Sequence, residues 1–212
     1  MVTATTCAQG VDWLHSLSGV TLPVGGSHPL MSTHNHLSAL SDDQFLEVIA
    51  IDPNAAAPDT ERWFLLDNPA QQHRLESSPE LTTWVVATSN LEAALAAVRE
   101  TGLESGSPVA LTRGDLHWKL ALMDDKSLCC DGVFPILIEW PPEMNPVQAM
   151  QDQGMRLGAV TLAHPQHARL NRAFDALGLS TLVNVTDGPS RISATMSAGS
   201  RLFELNSLTR SS

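Results

Sequence analysis

Apolar positions change their period along the chain in an order that recurs. Residues 2–6 are short and β-branched, as a strand is. In 7–19, Val11, Trp13, Leu14 and Leu17 fall near one helical face, and Gly19 supplies a C-terminal stop. Residues 32–41 and 44–52 then read as strands divided by the polar turn Ser41-Asp42-Asp43. The order returns after a loop-rich stretch holding Pro53, Pro58, Pro69 and Pro79. Residues 81–88 read as a strand, Ser89-Asn90 as a helix cap, and 91–102 as an Ala-rich helix. Strands are predicted at 108–113, 116–123 and 133–140, with turn signals at Arg113-Gly114-Asp115 and Asp131-Gly132. A weaker third pass follows Pro141-Pro142: a strand over 156–163, a helix over 167–177 ended by Gly178, and strands over 182–186, 191–196 and 201–205.

Strand, helix, three strands, repeated, predicts an α+β fold of βαβββ modules whose curved mixed sheets surround a central pocket. Helices cover one side of each sheet and leave the concave side to line a cavity. On this reading residues 1–142 form a paired domain and 143–212 an additional C-terminal module. The alternative is a generic α+β domain in which similar element order is accidental.

Composition narrows the function classes. The chain has 212 residues, enough for a substantial core. No apolar run approaches the roughly 20 residues that span a bilayer, and the first residues lack the basic start and apolar stretch of a secretory signal. A cytoplasmic protein with no membrane partner is expected. A net charge of −11 with scattered Lys and Arg repels polyanions, so no nucleic-acid partner is expected. Cys7, Cys129 and Cys130 match neither a disulfide framework nor a zinc-ligand spacing and read as reduced thiols. Cys129-Cys130 falls in a turn with no histidine close by in the sequence.

Candidate chemistry sits within the strands. Glu47 lies among Phe45, Leu46, Val48 and Ile49, and Glu139 among Leu137, Ile138 and Trp140. A carboxylate in such a strand needs a cation, a donor network or a raised pKa, or it reaches water at an edge. His34 and His36, two apart, point to one face, and with Glu47 on a neighbouring strand would make a facial metal set. Asn35 points to the opposite face; His34-Asn35 also reads as a hydrogen-bonding pair that fixes the loop from Gly25. His28, before Pro29 and after two glycines, overhangs a pocket mouth or braces a loop. Arg113 offers a forked donor set for a ligand's carboxylate or phosphate, or for Glu139. Trp118 and Trp140, among five tryptophans with no tyrosine, offer flat apolar walls or ordinary core filling.

Two stretches carry a resemblance: the run from Gly25-Gly26-Ser27-His28-Pro29 to Thr33-His34-Asn35-His36-Leu37 with Phe45-Leu46-Glu47-Val48-Ile49-Ala50, and Leu111-Thr112-Arg113-Gly114-Asp115-Leu116-His117-Trp118-Lys119 with Phe134-Pro135-Ile136-Leu137-Ile138-Glu139-Trp140. Together with Trp84-Val85-Val86-Ala87-Thr88 they resemble the glyoxalase-like proteins of the vicinal-oxygen-chelate superfamily (glyoxalase, bleomycin resistance, dioxygenase). The resemblance implies a divalent metal cofactor held by strands of paired modules and chelated by a small organic molecule. It also implies Glu47 and Glu139 as catalytic and metal-binding positions; His34 is a further metal candidate from its place on the strand alone. His28, Asn35, Arg113, Trp118 and Trp140 are the substrate-binding candidates. The family's first-strand ligand position would lie ahead of Val2, and Thr82-Thr83-Trp84 offers no histidine at the equivalent strand of the second module. Three functions stand as expectations: a metal-dependent lyase, isomerase or dioxygenase; a metal-free protein that binds or sequesters an organic ligand; or, with the concavity filled by side chains, a domain whose work is association. A homodimer is expected as well.

Overall fold

The structure, a computed structural model, describes residues 1–208. The first module runs β1 (Val2–Thr3), α1 (Cys7–Ser18), β2 (Val24–His28), β3 (Thr33–Ala39) and β4 (Phe45–Ile51). Thr6 starts α1 by accepting a hydrogen bond from the Gln9 amide (3.1 Å), and Gly19, left-handed at φ 75°, ends it by donating to the His15 carbonyl (2.7 Å). The crossover through α1 lays β1 parallel to β4. Helix and strand approach closely because Gly10 carries no side chain: a Cβ there would lie 2.4 Å from Val48 Cγ1.

A connection holding α2 (Pro69–Ser77) leads to β5 (Glu80–Leu81), which completes the first sheet in the order β2-β3-β4-β1-β5. The second module is β6 (Val85–Ala87), α3 (Leu91–Glu100), β7 (Ser107–Arg113), β8 (Leu116–Leu122) and β9 (Ile136–Glu139). Its sheet order, β6-β9-β8-β7, repeats the β1-β4-β3-β2 of the first module, again with first and last strands parallel. The third module, β10 (Met155–Ala163), α4 (His167–Ala176), β11 (Val185–Thr186), β12 (Arg191–Ala198) and β13 (Arg201–Asn206), keeps the element order but pairs as β11-β10-β12-β13. The α+β architecture of three small mixed sheets is thus the one the repeating pattern predicts.

Three local expectations change. The stretch 81–88 is two strands in different sheets: 82–84 carries the chain across, with the Thr82 amide donating to the Met1 carbonyl (3.1 Å) and the Ile136 amide to the Trp84 carbonyl (3.0 Å). The proline-rich connection contains a helix because Pro69 sits in its first turn, where no amide is needed, and Asn68 caps it by accepting from Gln71 N (3.1 Å). The glycine run 24–28 is a strand on β3 with an irregular register between Val24 and Ser27.

Helix α1 lies between the first sheet and the third module, its Val11 and Leu14 joining Val48, Leu46, Phe203 and Leu205 in one buried cluster. The other face of the first sheet turns Ile49 toward Leu111, Leu120, Ile136 and Ile138 of the second. Trp63, Phe64 and Leu66, from the connection between β4 and α2, fill the space between these two faces and are 3%, 6% and 0% exposed. Burying each such side chain contributes roughly 1.5–3 kcal/mol. The concavity expected between the first two modules is therefore largely occupied by the protein's own side chains.

Candidate functional site

Strand register decides which polar residues meet. In the β3–β4 pair, Thr33 faces Ile51, Asn35 faces Ile49 and Leu37 faces Glu47, so Thr33, Asn35 and Glu47 share the face turned toward the second sheet. His28, paired with Thr33 across β2 and β3, joins them. From the second sheet, Arg113 lies at the end of β7, on the same face as Leu111 and Trp118. Its Nη1 reaches His28 Nε2 at 3.1 Å.

Glu47 is the chemical centre of this group. Asn35 Nδ2 donates to its Oε1 at 2.6 Å, and Asn35 Oδ1 accepts from the Gly26 amide at 2.9 Å, so the amide is fixed at both ends. Gly25 makes room for that arrangement, since a Cβ there would fall 2.2 Å from Asn35 Oδ1. Burial raises the Glu47 pKa, while the Asn35 hydrogen bond and the positive charges of the Met1 amine and Arg113 oppose the rise.

His28 is a neutral imidazole of defined tautomer. Arginine only donates, so Nε2 accepts from Arg113 and Nδ1 carries the proton, which it donates to Thr33 Oγ1 (3.1 Å). Burial, then the Arg113 charge and then His34 push its pKa down to about 4. The ring meets Trp63 edge to face, with centroids 5.2 Å apart. Trp118 and Trp140 pair nearby on the second sheet, centroids 5.1 Å apart, and pack against the same apolar cluster.

His28, Asn35, Glu47 and Arg113 thus come together, with Trp118 and Trp140 lining the facing sheet. Glu139 does not. It pairs with Lys119 across β8 and β9, on the face covered by α3. There Oε2 accepts from the Leu91 amide at the start of α3 (2.6 Å), and Oε1 lies 3.0 Å from Lys119 Nζ. These donors hold its pKa below the usual carboxylate range, the Leu91 amide contributing most. Arg113 accordingly pairs with His28 and not with Glu139. His34 is also displaced from Glu47: facing Ala50, it and His36 point to the α1 side of the sheet. His36 Nδ1 contacts the Leu22 carbonyl at 2.8 Å, and His34 Nε2 is buried without a hydrogen-bond partner.

The donors required for a chelated divalent metal therefore do not converge. Glu47 has an amide and a guanidinium as neighbours, Glu139 is turned to a helix N-terminus, and His34 lies through the sheet. Among the described residues, no group of three or more His, Cys, Asp or Glu side chains is placed to hold a metal ion. Reading by residue type missed Thr33, which fixes the His28 tautomer, and Lys119, which neutralises Glu139. The signal for Thr33 was present: it stands two residues before Asn35 in the same strand.

No helix among the described residues is long and apolar enough to cross a membrane. No curated protein matches the chain. The sequence pattern of a family described as a glyoxalase-like domain matches residues 1–178, taking in the first two modules and the first strand and helix of the third. With that match over most of its length and the repeated module order, the chain belongs to the glyoxalase-like domain family of the vicinal-oxygen-chelate superfamily.

Proposed function

We propose that the protein binds a small organic acid at the inner faces of its first two sheets and acts on it by proton transfer. Arg113 holds the acid group, and Glu47 takes or gives the proton. The match to a glyoxalase-like domain supports a small-molecule enzyme or binding protein, and proton transfer by a positioned side chain is a general route to lyase and isomerase chemistry. One observation carries the reading: Glu47, with its pKa raised by burial, is gripped by Asn35 and lies in the field of a guanidinium on the facing sheet. A carboxyl group moved toward neutrality is matched to proton transfer. His28, being neutral, engages one Arg113 nitrogen without cancelling the guanidinium charge. Trp118 and Trp140 supply flat apolar contact for the carbon skeleton.

A second reading, metal-free binding or sequestration of the same ligand class, is favoured by the failure of metal donors to converge on Glu47 among the described residues. One titration separates the two. Tryptophan fluorescence is followed as small 2-oxo carboxylates are added, and solvent deuterium exchange next to their carbonyl is followed by NMR, each with and without EDTA. Under proton transfer, Arg113→Met weakens quenching by about tenfold or more, whereas Glu47→Gln keeps quenching and loses exchange. Quenching without exchange in the wild type supports the binding reading. Exchange abolished by EDTA, or no response to any such acid, overturns the proposal.

A further inference from the structure

A second site lies between modules two and three. A cleft of about 490 Å³ opens there, walled by Leu103, Cys129, Cys130, Asp131, His164 and Arg169. That volume suits a molecule of metabolite size. Cys129 and Cys130 are both partly accessible, and their sulfurs are 3.9 Å apart, with Cys129 as donor. The turn that carries them is strained: Cys130 and Asp131 both hold left-handed backbone, at φ 48° and 55°. Such conformations persist only where the surroundings over-determine them. Here Val133 N donates to the Cys130 carbonyl (3.0 Å), Ser190 Oγ of the third module to Asp131 Oδ2 (2.6 Å), and Thr83 Oγ1 to the Gly132 carbonyl (3.0 Å).

The charges around the pair divide the labour between the sulfurs. The Cys129 S–H contact, with Arg169 behind it, lowers the Cys130 pKa against burial and Asp131. The same contact, burial and Glu104 raise that of Cys129. His164 is not the activating group: its Nδ1 accepts from the Gln166 amide (2.9 Å) and its Nε2 faces Asp131 Oδ2 at 3.9 Å. Cys7, by contrast, is closed off, with burial pushing its pKa up to about 12. The pair has no third ligand to make a metal site, since no group of three candidate ligands exists among the described residues.

We propose that Cys129 and Cys130 are a thiol–disulfide exchange pair, with Cys130 attacking and Cys129 resolving, that reacts with low-molecular-weight disulfides carrying a carboxylate for Arg169. The Cys130 thiolate attacks one sulfur of RSSR. A Cys130–S bond forms as the S–S bond breaks, and RS⁻ leaves and takes a proton from solvent. Cys129 then loses its proton and attacks the Cys130 sulfur, expelling the second RS⁻, which is protonated in turn. Two protein thiols are oxidised and one small disulfide is reduced to two thiols. The protein sulfurs must close from 3.9 Å to about 2 Å, and because adjacent Cα atoms stand only about 3.8 Å apart the ring so formed is tighter, and more easily reduced, than an ordinary disulfide.

The test uses the full chain, oxidised glutathione as probe, and intact-mass analysis with peptide mapping. The wild type is expected to lose two hydrogens on the peptide bearing Cys129 and Cys130. Cys129→Ser is expected to hold a stable glutathione adduct on Cys130, and Cys130→Ser to react about tenfold or more slowly. Arg169→Met, with its circular dichroism unchanged, slows adduct formation several-fold. Dithiothreitol restores the wild-type mass. The proposal is overturned if Cys130→Ser reacts at the wild-type rate, if the Cys129→Ser adduct lies on Cys7, or if the wild type ends as a stable mixed disulfide or unmodified. Circular dichroism of each cysteine variant separates lost reactivity from lost fold.

Discussion

Acid destabilisation localised to one imidazole is the most direct test of the geometry around Glu47. His28 is neutral in the fold, its Nε2 occupied by an Arg113 donor and its Nδ1 proton given to Thr33, and its pKa falls from 6.5 to about 4. The sign follows from proton counting. Above the unfolded value both states are neutral there and the contribution is fully present. As pH falls from 6.5 toward 4 the unfolded chain binds a proton that the fold refuses, so stability is lost through that window. At about 1.4 kcal/mol for each unit of pH, the whole window is worth about 3 kcal/mol. His28→Gln keeps an acceptor for Arg113 and removes the titration. Urea denaturation of both proteins at about pH 7, 5.5 and 4 gives the difference. The wild type should lose about 3 kcal/mol more than His28→Gln between the extremes. Taking the difference removes groups common to both proteins, including His164, which burial shifts in the same direction. Parallel curves would refute the assignment of a neutral, Arg-facing His28.

Other consequences are of different kinds. Glu47, with its pKa raised, contributes oppositely: stability is present below 4.5 and lost as pH rises toward its folded value, so Glu47→Gln should gain on the wild type as denaturation is measured from about pH 4.5 upward. Gly10→Ala puts a methyl 2.4 Å from Val48 Cγ1 and should cost about 1–3 kcal/mol in urea denaturation, with no change in the denaturant slope. Glu80, fully buried, accepts from Arg74 Nη2 (3.2 Å) and the Leu208 amide (3.1 Å). Glu80→Ala should cost about 3 kcal/mol by stranding both donors, read as a lowered thermal midpoint.

Much of the architecture was legible because it depends on local periodicity. Helices α1 and α3 follow a simple rule of apolar face and capping residue and α4 follows the apolar face alone, whereas α2 begins at Pro69 in a stretch whose prolines signal loop, although a first-turn proline favours a helix. The division of 81–88 between two sheets was not legible, because Leu81 and Val85 are both good strand residues and only their partners, Val2 and Ile136, assign them. Nor was the filling of the concavity. Trp63 and Phe64 stand in a proline-rich stretch without periodicity, and what buries them is two sheets brought together from distant parts of the chain. The reactivity of Cys130 is hidden for a similar reason, since Arg169 lies on a helix of another module.

Two integers explain most of the difference between the expected site and the observed one. The first is strand parity: Glu139 and Trp140 are neighbours in sequence, so if Trp140 joins Trp118 on the inner face, Glu139 must leave it. That conflict was available from the alternation alone. The second is register. Sliding β3 by one residue along β4 would place His34 and His36 beside Glu47 and send Asn35 to the α1 side. Nothing in the two strands taken singly selects between these pairings. Selection comes from the packing: α1 covers the face of Val48 and Ala50 through Gly10 and Cys7, and only the observed register gives Glu47 a buried amide donor instead of two imidazoles. In that position the carboxyl group meets an amide donor and the field of Arg113, and the choice is made by a shift of one residue.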